Sequence, residues 1–256
     1  MFTASPKLNC MMNEQVEIRS KDGIADAVLT RSDGEEKRPG ILVLTDIMGY
    51  RPAYADIANH IAGYGYVVLT PNIFFRSGKP PIFEFPVDWE KESVTQRRKE
   101  ITTALTNEAA LRDGSEYFDF LAAQDGVASG PMGVVGFCYT GRIALQLAAT
   151  RPDVVGAAAS FHGGGLLTDD ATSPHWLLPK VKARLYFGHA TNDGSMPAEA
   201  IDKFERALAD WGGEYESETY PAGHGWMIAG RPVHDPEQAD RGFKKLIELF
   251  DETLKS

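Results

Sequence analysis

Chemistry concentrates in Val134-Val135-Gly136-Phe137-Cys138-Tyr139-Thr140-Gly141-Arg142-Ile143-Ala144-Leu145, where an apolar run meets a short turn and then a helical pattern. A strand, a sharp turn and a helix start are the setting in which a nucleophile is held in a strained backbone conformation and presented outward. Gly136 and Gly141 suit the close backbone approach that such a turn demands. At a helix N-terminus, free N–H groups and the helix dipole favour a thiolate, so Cys138 is read as a nucleophile rather than as a thiol that fills space. No serine lies between Ser129 and Ser160 to take that part instead, and Cys10, the second of two cysteines, has no comparable setting.

A thiol nucleophile needs a base, and the base needs an orienting acid. Asp193 lies in the loop His189-Ala190-Thr191-Asn192-Asp193-Gly194-Ser195-Met196-Pro197, just past the apolar run Leu185-Tyr186-Phe187-Gly188. His224 follows in Pro221-Ala222-Gly223-His224-Gly225-Trp226, after the last expected strand. Nucleophile, acid, then histidine is the chain order used when such a turn is catalytic. His224 would take the proton of Cys138 and return it to a leaving group, with Asp193 fixing its tautomer. Asp193 can also be read as a helix cap or turn residue. Developing negative charge would be met by the backbone N–H of Tyr139 and of Ile47, the latter in Thr45-Asp46-Ile47-Met48-Gly49-Tyr50.

Of the six histidines, His60, His175 and His234 read as surface or capping residues. His162 and His189 end apolar runs at the side of an open sheet where ligands bind, so each is a candidate to line a pocket, as is Trp226 beside the histidine turn. Metal-ligand spacing such as His-Glu-x-x-His is absent, and no metal or other cofactor is expected.

The bulk properties bound the partners. At 256 residues, 43% apolar and 24% charged, the chain fits one large α/β domain spanning residues 1–256. A formal charge of −10 and a pI near 5.1 argue against nucleic acid, whose phosphates need Lys and Arg to replace their counterions. Met1 to Met12 lacks the apolar stretch of a leader peptide, no run approaches a membrane span, and two cysteines make no disulfide framework. A cytoplasmic protein, monomer or homodimer, acting on a small molecule is the expectation.

The elements that would position these residues alternate. Val16 to Ile18 and Ala25 to Leu29 flank the turn Ser20-Lys21-Asp22-Gly23 as an antiparallel hairpin. Ile41 to Leu44, Val67 to Leu69, Val134-Val135, Val155 to Ala159 and Ala183 to Phe187 read as strands buried on both faces. Between them Ala53 to Ile61, Glu92 to Leu121, Gly141 to Ala149, Pro197 to Trp211 and Gln238 to Leu254 carry helical apolar spacing. The pattern predicts a mostly parallel, doubly wound sheet with helices on both faces. Phe74 to Trp89, rich in proline and aromatic residues, is expected to overhang the site.

From the Ile41 strand to the final helix, the chain resembles the dienelactone hydrolase family (carboxymethylenebutenolidases). The resemblance rests on Gly136-Phe137-Cys138-Tyr139-Thr140-Gly141, Asn192-Asp193 and Ala222-Gly223-His224-Gly225. It implies an α/β-hydrolase fold and hydrolysis of a small lactone or ester through an acyl-cysteine. Thioester hydrolysis would share that chemistry, and a non-catalytic ligand-binding protein on the same fold is the reading from another class. The family also implies an acid that helps deprotonate the cysteine; its usual glutamate is Asp46 here. The best-known members grip a substrate carboxylate with two arginines. Arg97 or Arg98 corresponds to the first, with Arg98 taken as substrate-binding, while Ile228 stands where the second is expected. Thr140 replaces a glycine of the family's turn.

Overall fold

The computed structural model describes residues 10–255, so the reading of Met1 to Met12 falls mainly outside the described residues. Eight strands form one sheet: β1 (Met11–Ser20), β2 (Gly23–Ser32), β3 (Gly40–Leu44), β4 (Val67–Pro71), β5 (Met132–Phe137), β6 (Val155–Phe161), β7 (Arg184–Ala190) and β8 (Tyr215–Tyr220), in the order β1-β2-β4-β3-β5-β6-β7-β8. The β1–β2 and β2–β4 pairs are antiparallel and the rest are parallel. The hairpin is longer than its apolar residues announce, at ten residues per strand, because ladder bonds run through the exposed polar positions of β1 as well.

Among the described residues six α-helices cover the sheet: α1 (Pro52–Gly63), α2 (Glu92–Ala104), α3 (Asn107–Ala122), α4 (Gly141–Thr150), α5 (Ala198–Trp211) and α6 (Pro236–Leu254). Strand side chains alternate between two cores. Leu42, Leu44 and Val134 pack with Phe118, Leu145 and Phe204 of α3, α4 and α5; Ile41, Val43 and Val135 pack with Tyr54, Ile57 and Phe250 of α1 and α6. Such a two-faced sheet explains why β3 to β5 are apolar without alternation.

One expected helix is two. Glu92 to Leu121 breaks at Leu105-Thr106, where the Thr106 side chain accepts the Ala109 N–H at 3.1 Å and starts α3 afresh. The break frees α2 from the core: Ile101 is its one fully buried residue. The parallel strands bring the ends of β3, β5, β6 and β7 to one edge of the sheet, and the loops that follow them build the site.

Candidate active site

The turn after β5 is as tight as its glycines imply. A Cβ on Gly136 would lie 2.3 Å from the Thr140 carbonyl oxygen, and one on Gly141 would lie 2.3 Å from Ser160 Oγ. Cys138 is held at φ 55°, the left-handed conformation in which non-glycine residues are rare. Thr140, the departure from the family's glycine, has a use. Its buried hydroxyl accepts the Phe137 N–H at 2.9 Å and donates to the Leu44 carbonyl at 3.0 Å, stapling the turn to the end of β3.

Three loops then converge. His224 Nε2 lies 3.0 Å from Cys138 Sγ, and His224 Nδ1 lies 2.5 Å from Asp193 Oδ2. The other oxygen of Asp193 accepts the Ser195 N–H at 2.8 Å and the Ser195 hydroxyl at 2.6 Å. Asn192, at φ 57°, turns the chain to present Asp193, in a conformation that asparagine tolerates. Burial alone would lower the pKa of His224, but hydrogen bonds to Asp193 and Cys138, with their charges, push it up to about 10. Burial works in the opposite sense on Asp193, and the hydrogen bonds from His224 and Ser195 outweigh it and hold the carboxyl below its ordinary value. The imidazole thus stands between a carboxylate and a sulfur.

These groups open into a cleft of about 310 Å³ lined by Ile47, Arg98, Thr102, Cys138, Tyr139, Arg142, Gly164, Gly165, Ser195 and His224. Tyr139 is the middle residue of the helical turn Cys138–Thr140 that leads into α4, where N–H groups lack an intrahelical acceptor, and Ile47 N–H makes no hydrogen bond among the described residues. Cys138, His224, Asp193, Tyr139, Ile47 and Arg98 are therefore brought together. Arg97 turns away, bonding the Ser77 and Ile82 carbonyls and Glu100.

Five of the expected residues or segments sit differently from the sequence expectation. Trp226 is fully buried, stacked on Tyr220 at 4.2 Å and edge-on to Phe161, so its indole is core and out of a ligand's reach. His162 and His189 end their strands as expected but turn inward, and both are buried. The His162 ring lies under that of His224, centroids 5.3 Å apart, and burial holds it neutral, well below the usual histidine range. Asp46 is fully buried, with both carboxylate oxygens bonded to Arg51. Phe74 to Trp89 packs Ile82 against Gly49 but contributes no residue to the cleft wall, which Arg98 and Thr102 of α2 form instead.

Sequence reasoning missed Arg142, Thr102, Ser195, Gly164 and Gly165. Arg142 had a signal, a cation four residues past the nucleophile in the first turn of α4, and Ser195 had the spacing of a hydroxyl two residues past an aspartate. Thr102 becomes visible only once α2 stops at Ala104 and one turn of it, Arg98 to Thr102, faces the cysteine.

The model of the dienelactone hydrolase family matches residues 25–254. The chain belongs to that family. A Synechocystis protein provisionally named a carboxymethylenebutenolidase is 27% identical over 228 residues, covering 85% of this chain and 87% of its own. The carboxymethylenebutenolidase of Rhodococcus opacus is 27% identical over 218 residues, 84% and 81% of the two chains. In three dimensions the chain is similar to a Klebsiella pneumoniae protein provisionally named a dienelactone hydrolase, with a TM-score of 0.84 at 22% identity over 94% of this chain and 99% of that one. A metagenomic dienelactone hydrolase-like promiscuous phosphotriesterase superposes with a TM-score of 0.77 at 20% identity, over 95% and 98%. At those identities the structures speak for the fold, and the family match makes this dienelactone hydrolase family member a hydrolase. Among the described residues no helix is long and apolar enough to cross a membrane.

Proposed function

We propose that this family member hydrolyses a small carboxylic ester or lactone through an acyl-cysteine, with Cys138 as nucleophile, His224 as proton carrier and Asp193 as the acid that orients it. The observation that carries the reading is the unbroken chain of contacts from Cys138 Sγ through His224 to Asp193, opening into a cleft. The Cys138 thiolate attacks the carbonyl carbon and forms a C–S bond. The resulting oxyanion takes the N–H groups of Tyr139 and Ile47, each worth roughly 3–4 kcal/mol at a developing charge. The C–O bond breaks, and His224 gives its proton to the leaving alkoxide. Neutral His224 then draws a proton from water as that water attacks the thioester, and collapse releases the acid and restores the thiolate.

Arg98 and Arg142 add a preference for an anionic group on the substrate. Both line the cleft, neither has a carboxylate partner among the described residues, and the Arg142 guanidinium lies 4.7 Å above the Tyr139 ring. In a chain with ten more acidic than basic side chains, two free guanidinium groups beside a nucleophile suit a carboxylate.

Hydrolysis of an activated aryl ester tests the mechanism. Wild-type protein should give a burst of product equal to the enzyme present and a thioester adduct on Cys138 by mass spectrometry, and Cys138→Ala should give neither. Equal steady-state rates for the two proteins would overturn the assignment. Specific binding of the ester with no adduct would favour a non-catalytic ligand-binding protein.

A further inference from the structure

Asp46 and Arg51 form an ion pair with both side chains below one-tenth exposure. It is bidentate, Nη1 to Oδ1 at 2.6 Å and Nη2 to Oδ2 at 2.7 Å. A buried pair of this kind must repay the desolvation of two charges, and it does so only when the surrounding hydrogen bonds are satisfied. Here most of them fall within the same six residues, with Tyr54 the neighbour outside them. Asp46 Oδ1 also accepts the Met48 N–H at 3.0 Å, and Arg51 Nη1 also donates to the Gly49 carbonyl at 3.1 Å. The Gly49 N–H closes a turn on the Asp46 carbonyl at 3.0 Å, and the Asp46 N–H donates to the Tyr54 hydroxyl at 2.6 Å. Of the N–H groups in this frame, those of Ile47, Tyr50 and Arg51 make no hydrogen bond among the described residues, and of these three residues Ile47 alone lines the cleft.

We infer that Asp46 and Arg51 are positioning residues that fix the Ile47 N–H as an oxyanion donor, and that Asp46 is not a base for Cys138. This rests on the cysteine hydrolase reading above. The frame is tied to the nucleophile from beneath. Tyr54, whose hydroxyl takes the Asp46 N–H, sets its ring edge-on to Phe137 at 5.8 Å, and Phe137 immediately precedes Cys138. Above it, Ile82 closes on Gly49, which sits at φ 75° and has no room for a Cβ, one built there lying 2.5 Å from Ile82 Cγ1. The loop is thus held on both sides, with its only charged side chains turned on each other.

Both oxygens of Asp46 are engaged by Arg51, while His224 Nε2 is already 3.0 Å from Sγ. An aspartate one methylene shorter than glutamate suits this short-range partner five residues away better than it suits a reach to the thiol.

Two measurements on Asp46→Asn and Arg51→Met separate the roles. Steady-state hydrolysis of an aryl ester reports the oxyanion donor, and the pH dependence of Cys138 alkylation by iodoacetamide reports the thiolate without any oxyanion. The expected result is a fall in kcat of about 10- to 100-fold with KM within about twofold. The alkylation profile should superimpose on that of the wild type. Arg51→Lys should recover part of the kcat lost in Arg51→Met, and it keeps the test available if Asp46→Asn does not fold. Alkylation that slows or moves to higher pH in Asp46→Asn would make Asp46 the base and overturn the inference, as would unchanged kcat in both variants. Cys138→Ala in the same assay keeps the two claims apart. If it is inactive while Asp46→Asn is fully active, the inference fails and the hydrolase mechanism stands; if it is fully active, the mechanism itself fails.

Discussion

Replacing Thr140 by valine removes one hydroxyl and almost no volume from a site with no exposure to solvent. That hydroxyl accepts the Phe137 N–H and donates to the Leu44 carbonyl. The first loss leaves a backbone donor of the turn without this acceptor, a cost of about 1–3 kcal/mol, and the second forfeits a hydrogen bond worth roughly 1 kcal/mol. Thr140→Val should therefore lose roughly 2–4 kcal/mol of unfolding free energy by urea titration, and roughly 5–15 °C of Tm for a chain of this size. Because the bond to Leu44 spans β3 and β5, and those strands carry the Ile47 and Cys138 loops, kcat for an aryl ester should drop about tenfold alongside. Thr140→Ser, which keeps the hydroxyl, should stay within about 1 kcal/mol of the wild type. If valine and serine prove equally stable and equally active, the staple contributes nothing and Thr140 is only filling the turn.

Two further outcomes follow from charge. Arg142→Leu should raise KM about tenfold for an ester bearing a carboxylate and leave a neutral ester of the same size within about twofold; equal effects on both would remove the anion preference. For stability against pH, the pKa of His224 is raised in the folded chain, so its contribution is complete below the ordinary histidine value. That contribution is lost as pH climbs through about 10. Asp193 is lowered, so its contribution is complete above the ordinary aspartate value and is lost as acid protonates it. Wild-type minus His224→Gln unfolding free energies should accordingly fall between neutral pH and pH 11, and a flat difference would contradict the imidazolium.

The elements and the three convergent residues were legible because each has a local cause. Buried parallel strands are apolar on both faces, and a turn bounded by Gly136 and Gly141 has few other uses. What sequence did not disclose is direction. His162 and Trp226 lie next to the right loops, yet one sits beneath His224 and the other on Tyr220, and their types fit a core as well as a pocket. The α2–α3 break was hidden because helical spacing runs through it, and the Thr106 cap competes only weakly with that spacing until Ala109 offers its N–H. Missing that break put the cleft wall in the wrong segment, on Phe74 to Trp89 instead of Arg98 and Thr102.

The fate of Asp46 shows why a resemblance carries position better than role. The loop after β3 is where the family places its acid, and an acid is there. Its partner, however, is set by the residues immediately around it, and Arg51 is five positions downstream with a guanidinium that matches both carboxylate oxygens. Once the pair forms, its further bonds to Met48 and Gly49 make it the skeleton of the loop. Releasing the carboxylate toward Cys138 would then cost the loop its shape at the moment Ile47 must meet the oxyanion. With His224 in contact with the sulfur and its pKa raised, the thiolate of the proposed mechanism has a counter-ion that does not depend on that release. On the proposed mechanism, activation of the nucleophile and stabilisation of the oxyanion thus fall to two separate charge pairs, His224 with Asp193 and Arg51 with Asp46.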